Sequence, residues 1–242
     1  IVASNADGFA VGDFVAAHTG WQTHGVADAR DIRKLNPAEA PISTSLGVLG
    51  MPGLTAYFGT LDVLTPKAGD TLLVNAASGA VGSVVGQIAK IGGCRVVGIV
   101  GSDEKCDFIT GELGFDAAIN HRTTADMSSA MRETCPDGID CYFDNVGGPI
   151  SDAAFDNMAM WARVAICGQI AQYNDTEQAM GPRNLRNFLI KRATLYGLLV
   201  FDWRDRYHEG RARLTQWVQE GRIKYREDVV EGLENAPSAF AG

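Results

Sequence analysis

Ala77-Ser78-Gly79-Ala80-Val81-Gly82 stands between a short apolar run, Thr71 to Asn75, and a helical apolar period, Val81, Val84, Val85 and Ile88. This is the Gly-x-Gly-x-x-Gly turn with Ala77 in place of the first glycine. Gly79 has no side chain to keep a pyrophosphate from the backbone, and Gly82 lets a helix lie close against a strand. The N–H groups that open the helix attract negative charge. Gly79, Ala80, Val81 and Gly82 are therefore candidate diphosphate ligands. The helix is expected to stop at Gly92-Gly93, and Arg95 to Val100 to form the next strand.

The tip of that second strand bears on which dinucleotide is taken. An NAD site places Asp or Glu there, where a carboxylate accepts from the ribose 2′-hydroxyl. Here the strand ends in small, neutral Gly101-Ser102, and Lys105 follows just inside the next helix. Lys105 can meet a 2′-phosphate as a point charge, with Ser102 completing the pocket. NADP(H) is the expectation. The alternative is that Asp103 or Glu104 holds the ribose of NAD while Lys105 is a solvated surface lysine.

Other strand ends carry groups suited to chemistry. Asn145-Val146-Gly147-Gly148 offers a side-chain amide beside two flexible residues, or is a plain strand-to-helix turn. Gly168 to Asn174 is a loop carrying the phenol of Tyr173. That phenol is the catalytic candidate: it can hydrogen-bond a substrate carbonyl or donate a proton, unless it only packs.

The elements that must position these groups alternate in type. After the second strand come a helix over 103–112, a strand over 117–120, a helix over 124–133 and a strand over 139–146. A helix over 150–160, a strand over 163–167 and a strand over 194–200 follow. This order implies an α/β fold, a Rossmann-type doubly wound parallel sheet with right-handed crossovers. Ligands of such a sheet bind beyond the carboxyl ends of its strands. That rule selects Asn145, Cys167, Gly168, Gln169, Ile170 and Tyr173, and then Leu198, Leu199 and Val200, as lining. The strand over 194–200 is expected at the sheet edge, where it invites a second subunit. Residues 1 to about 45 have the broken texture of a β-rich domain, with strand-like pieces over 14–17, 20–26 and 32–35. A helical piece, Leu54 to Tyr57, follows the Met51-Pro52-Gly53 turn. Trp203 to Glu220 reads as a surface helix and Ile223 to Glu231 as a returning strand.

The chain's 242 residues are 46% hydrophobic and 21% charged with net charge −8, so no basic field invites nucleic acid. No apolar run reaches membrane-spanning length and no signal pattern opens the chain, which makes the cytoplasm the default expectation. Five cysteines without a Cys-x-x-Cys pair do not suit a disulfide framework, and four histidines without a His-x-x-x-His pair suggest no local metal site. The chain opens on Ile1-Val2 and closes on Ala241-Gly242 within helical texture, so a fragment is expected.

Five stretches in order carry a resemblance: Gly-Met-Pro-Gly-Leu-Thr-Ala-Tyr (50–57), Ala-Ala-Ser-Gly-Ala-Val-Gly-Ser-Val-Val-Gly-Gln (76–87), Gly-Ser-Asp-Glu-Lys (101–105), Tyr-Phe-Asp-Asn-Val-Gly-Gly (142–148) and Glu-Gly-Leu-Glu-Asn-Ala-Pro (231–237). Together they resemble the zinc-independent medium-chain dehydrogenase/reductases, in the branch that holds the prostaglandin reductases and bacterial NADPH-dependent curcumin reductase. The resemblance implies part of a GroES-like substrate domain over 1–60, an NADP-binding Rossmann domain over 61–203, and a return toward the substrate domain over 204–242. It implies NADPH as cofactor and reduction of the C=C bond of enones or enals, while the uncovered edge strand is what suggests a homodimer. It places the 2′-phosphate lysine at Lys105, and the tyrosine that stands beside that phosphate in the family falls on His121 here. Quinone reductases and alcohol dehydrogenases of the same superfamily, and a non-enzymatic nucleotide-binding protein, are the alternatives. A substrate pocket fringed by Trp21, Tyr57 and Tyr173 would suit flat aromatic or long-chain enones. The family's first barrel segment and a last strand with an asparagine near the nicotinamide have no counterpart here.

Overall fold

A computed structural model describes residues 1–241. By their contacts the residues fall into two units, Ile1–Leu46 with Tyr225–Gly242, and Gly47–Lys224. The first unit holds one antiparallel pair, β1 (Phe14–Ala16) and β2 (Arg33–Leu35), in the register Phe14↔Leu35. The segment 20–26 expected as a strand is irregular and exposed. Gly20 turns the chain at φ +78°, and among the described residues no strand pairs with this segment.

The second unit is built on a six-stranded parallel sheet in the order β5-β4-β3-β6-β7-β8. Its strands are β3 (Thr71–Asn75), β4 (Arg95–Val100), β5 (Ala117–Asn120), β6 (Ile139–Asp144), β7 (Met158–Ile166) and β8 (Thr194–Gly197). All five residues of β3 are buried, as continuous apolar runs are when helices cover both sheet faces. Helix α1 (Met51–Phe58) precedes β3, and α2 (Gly82–Ile91) follows it. Gly86 lets α2 approach the sheet, since a methyl group there would run into the ring of Phe115. Next come α3 (Asp103–Asp107), prolonged by a wider turn through Glu112, then α4 (Met127–Thr134) and α5 (Gly148–Asp156). Helix α4 begins at Met127, later than the sequence suggests, because the Asp126 carboxylate caps it from Ser129 N at 2.9 Å.

Three expected boundaries move for identifiable reasons. The helix over 150–160 ends at Asp156 and β7 already begins at Met158, paired with Ile139. Its register shifts between Ile139 and Cys141, and Trp161 takes φ +64°, so a bulge disguises the strand's alternation. Strand β8 stops at Gly197. Residues 200–206 form tight turns broken at Trp203, and α7 spans Tyr207–Gln219 after α6 (Leu185–Lys191). Residues 223–231 form no strand. At Lys224 the Gln87 side chain takes the place of a strand partner, accepting from Lys224 N at 2.7 Å and donating to Lys224 O at 2.9 Å. A last short helix, α8 (Ala236–Ala241), closes the first unit.

Candidate dinucleotide-binding site

The sheet reverses its winding between β3 and β6. Strands β4 and β5 lie to one side, β7 and β8 to the other, so a crevice opens at the carboxyl ends of β3 and β6. Two buried polar residues that sequence reasoning passed over end these strands, Asn75 and Asp144. Asn75 Nδ2 donates to Tyr142 Oη at 2.6 Å and to Asp144 Oδ1 at 2.7 Å. Ser151 Oγ donates to Asp144 Oδ2 at 2.6 Å, so the Tyr142 hydroxyl is left to donate to Ser151 Oγ across 3.0 Å. Burial, reinforced by Asp144, holds the Tyr142 phenol well above its ordinary range, which keeps that proton in place. The only signal in the sequence was a polar residue closing each of two apolar runs.

This closed set grips the backbone that lines the crevice. Asp144 Oδ1 also accepts from Val146 N at 3.0 Å and Gly147 N at 2.9 Å. Asn75 Oδ1 accepts from Asn145 N at 2.6 Å, and Asn145 Nδ2 donates to Asn75 O at 3.0 Å. The Asn145 amide is thereby fixed through its donor, while its oxygen has no partner among the described residues. Gly147 (φ +74°) and Gly148 (φ +62°) turn the chain through a region closed to most side chains.

The diphosphate turn follows β3. Ala77 N stays with the sheet, donating to Ile99 O at 3.0 Å, while Ala76 adopts φ +46° to start the turn. A methyl group on Gly82 would collide with the Ala76 carbonyl, so close packing of α2 on the strand needs glycine there. Gly79 and Ala80 are exposed at the turn and Val81 precedes the helix. The N–H groups of Ala80 and Val81 have no acceptor among the described residues, as at an anion-binding helix start.

At the tip of β4, Ser102 caps α3 by accepting from Lys105 N at 3.3 Å. Lys105 and His121 are exposed, and His121 Nε2 lies 3.2 Å from where a methyl group on Gly101 would sit. Beside the same tip the Asp103 carboxylate accepts from Asn120 Nδ2 at 2.7 Å.

The loop after β7 docks on the same crevice. Cys167 N and Gly168 N donate to Asp144 O at 2.8 and 3.1 Å, and Ile170 N donates to Asn145 O at 3.4 Å. Burial, with Asp144 nearby, pushes the Cys167 thiol up to about 11, so it stays protonated and unreactive at neutral pH. Tyr173 is exposed, and its Oη accepts from Gln169 N at 3.1 Å. That contact fixes the oxygen and leaves the phenolic proton free to be given.

Other expected lining residues are placed differently from one another. Leu198 and Val200 are buried, Leu198 against Gly59 and Phe143, and of the three only Leu199 exposes its side chain. Tyr57 is engaged edge-on with Phe58 at 5.0 Å and lies 6.1 Å from the Trp217 ring. Trp21 belongs to the first unit, edge-on against Phe240 at 5.6 Å.

The sequence family described as zinc-binding dehydrogenase matches residues 80–217. Prostaglandin reductase 1 of Oryctolagus cuniculus is 46% identical over 244 residues, covering 99% of this chain and 70% of its own. NADPH-dependent curcumin reductase of Escherichia coli K12 is 44% identical over 247 residues, covering 100% and 71%. CurA of Vibrio vulnificus, solved in complex with NADPH, superposes with a TM-score of 0.92 at 48% identity, over 99% of this chain and 72% of that one. Among the described residues no group of three or more His, Cys, Asp or Glu side chains gathers so as to hold a metal ion, so the donors present do not fit the zinc of the family's description.

Proposed function

Because the chain belongs to the medium-chain dehydrogenase/reductase family, in the branch of the prostaglandin and curcumin reductases, we propose that it is an NADPH-dependent oxidoreductase reducing the C=C bond of α,β-unsaturated carbonyl compounds. One observation carries the cofactor choice: the β4 tip offers Ser102, Lys105 and His121, while the Asp103 carboxylate is engaged by Asn120. NADPH, when bound, supplies the hydride. Gly79 to Gly82 and the start of α2 would hold its diphosphate, and Asn145 with residues 167–170 its nicotinamide half.

The chain's own part is to orient substrate and to stabilise charge on the carbonyl oxygen as the β-carbon is reduced. Tyr173 suits this role, its oxygen held by Gln169 N and its proton available to the developing enolate oxygen. A conjugated carbonyl accepts hydride without a Lewis acid, in keeping with a family branch that does not use zinc. In this reading residues 1–60 are part of the substrate domain, and 204–242 hold a helix and the chain's return into that domain. An enone, a quinone and a ketone offered side by side, with NADPH oxidation followed by absorbance, test it. The enone is expected to turn over fastest, and a faster quinone or ketone would overturn the substrate class.

Strand β8 exposes all four of its residues at the sheet edge, which supports a homodimer formed through it. Leu195→Lys should then yield monomers in sedimentation velocity. The free cysteines suit a reducing, cytoplasmic site of action.

A further inference from the structure

We infer that Arg122, a residue outside every motif described above, is the main discriminator between NADPH and NADH, with its guanidinium taking the 2′-phosphate. This rests on the dinucleotide reading just given. Val100 and Asn120 are register partners at the ends of β4 and β5, so Gly101-Ser102 and His121-Arg122 leave the sheet side by side. His121 N donates to Val100 O at 3.0 Å and locks the two exits together. A methyl group on Gly101 would stand 3.2 Å from His121 Nε2 and 3.4 Å from Arg122 Nε. Both side chains therefore lie against the bare backbone of Gly101, at the tip where the adenosine ribose belongs in this fold.

Asn120 organises the cluster. Its Nδ2 holds Asp103 at 2.7 Å, and its Oδ1 accepts from Arg122 N at 3.1 Å, which sets the turn that carries Arg122. One side chain thus occupies the acidic group an NAD site would use and sets the backbone turn that carries a cation. Arg122, Lys105 and His121 have no side-chain hydrogen bond or ion pair among the described residues. The His121 and Arg122 side chains thus meet over Gly101, and Lys105 follows in the first turn of α3. Of the three, Arg122 alone has a planar fork that meets two phosphate oxygens at once. Lys105 contributes a more distant point charge from α3.

The test is a set of fluorescence titrations of NADPH and NADH, with adenosine 2′,5′-bisphosphate and 5′-AMP as fragments lacking the nicotinamide, on wild type, Arg122→Ala, Arg122→Lys and Lys105→Ala. Arg122 is exposed and supports no other element, so its variants keep the fold. Arg122→Ala should weaken NADPH and the bisphosphate by about ten- to a hundredfold while NADH and 5′-AMP are unchanged. Arg122→Lys should recover part of the loss, and Lys105→Ala should lose less than Arg122→Ala. A wild type that prefers NADPH, with an Arg122→Ala variant that keeps that preference or loses both dinucleotides alike, overturns the inference alone. A wild type that binds neither, or both equally, overturns the cofactor reading and this inference with it.

Discussion

At the carboxyl ends of β3 and β6 the side chains of Asn75, Tyr142, Asp144 and Ser151 bond one another in a closed set. Nearer the amino ends of the same strands a second polar cluster is left open. Arg163 Nη2 reaches Asp70 at 2.5 Å and Cys141 Sγ at 2.9 Å, but its Nε is buried without a partner among the described residues. The upper set extends its bonds to backbone N–H groups that line the crevice. The lower one ties strand beginnings together and faces no candidate site. Two polar clusters under one sheet thus have different work: the upper one shapes the proposed binding surface, and the lower one staples the scaffold.

Asp144→Ala is the severest way to break this contrast. It strands the donors of Asn75, Ser151, Val146 and Gly147, each of which costs about 1–3 kcal/mol when buried without a partner. A loss of about 4 kcal/mol or more in urea denaturation is expected, together with loss of NADPH binding. A variant that is destabilised yet binds NADPH normally would reduce the upper set to another staple. Next in size comes Tyr173→Phe, which removes the proton that the Gln169 contact leaves free. A roughly 30-fold drop in kcat, about 2 kcal/mol, is expected with NADPH affinity unchanged. An unchanged kcat would move the charge-stabilising role elsewhere.

Arg163→Met tests the lower cluster. The Arg163–Asp70 pair is only partly buried, at 23% and 18% side-chain exposure, and Asp70 keeps its turn bond from Lys67 N. About 1 kcal/mol of stability should be lost, with cofactor affinity intact. A tenfold loss of NADPH affinity instead would mean that the two ends are not independent.

The proposed site at the upper end could be pointed to from sequence, but the polar set beneath it could not. Gly79, Gly82, Lys105 and Asn145 stood out because unusual residue types interrupted regular periods. Asn75 and Asp144 did not, since a lone polar residue closing an apolar strand looks like the strand's ordinary limit. That the two are neighbours depends on β3 pairing with β6, across 69 residues of chain. Arg122 was hidden for a similar reason: its importance comes from the pairing of β4 with β5, which sets it over Gly101. Where the reading of elements failed, at β7 and at 223–231, a bulge at Trp161 and the side chain of Gln87 did what periodicity cannot report. Local chemistry was legible, and chemistry assembled across strands was not.

The last expected effect has no size at neutral pH and sharpens the contrast from the alkaline side. Burial pushes the Cys141 thiol, beside Arg163 in the lower cluster, from an ordinary 9.0 up to about 12. Below pH 9 the thiol is protonated whether the chain is folded or not, so it contributes no pH dependence. Above pH 9 the unfolded chain loses this proton while the folded one keeps it, and stability falls with rising pH until the folded thiol titrates near 12. Cys94 and Cys167, each held up at about 11 by burial, add to the same decline. Urea midpoints taken across that range should fall less steeply in Cys141→Ala than in wild type. The slopes should differ by up to one proton, roughly 1.4 kcal/mol per pH unit, after allowance for a pH-independent cavity cost. Parallel slopes would mean that the lower cluster admits water once Arg163 has left Nε unbonded. The open end of the sheet would then be open to solvent as well as to hydrogen bonds.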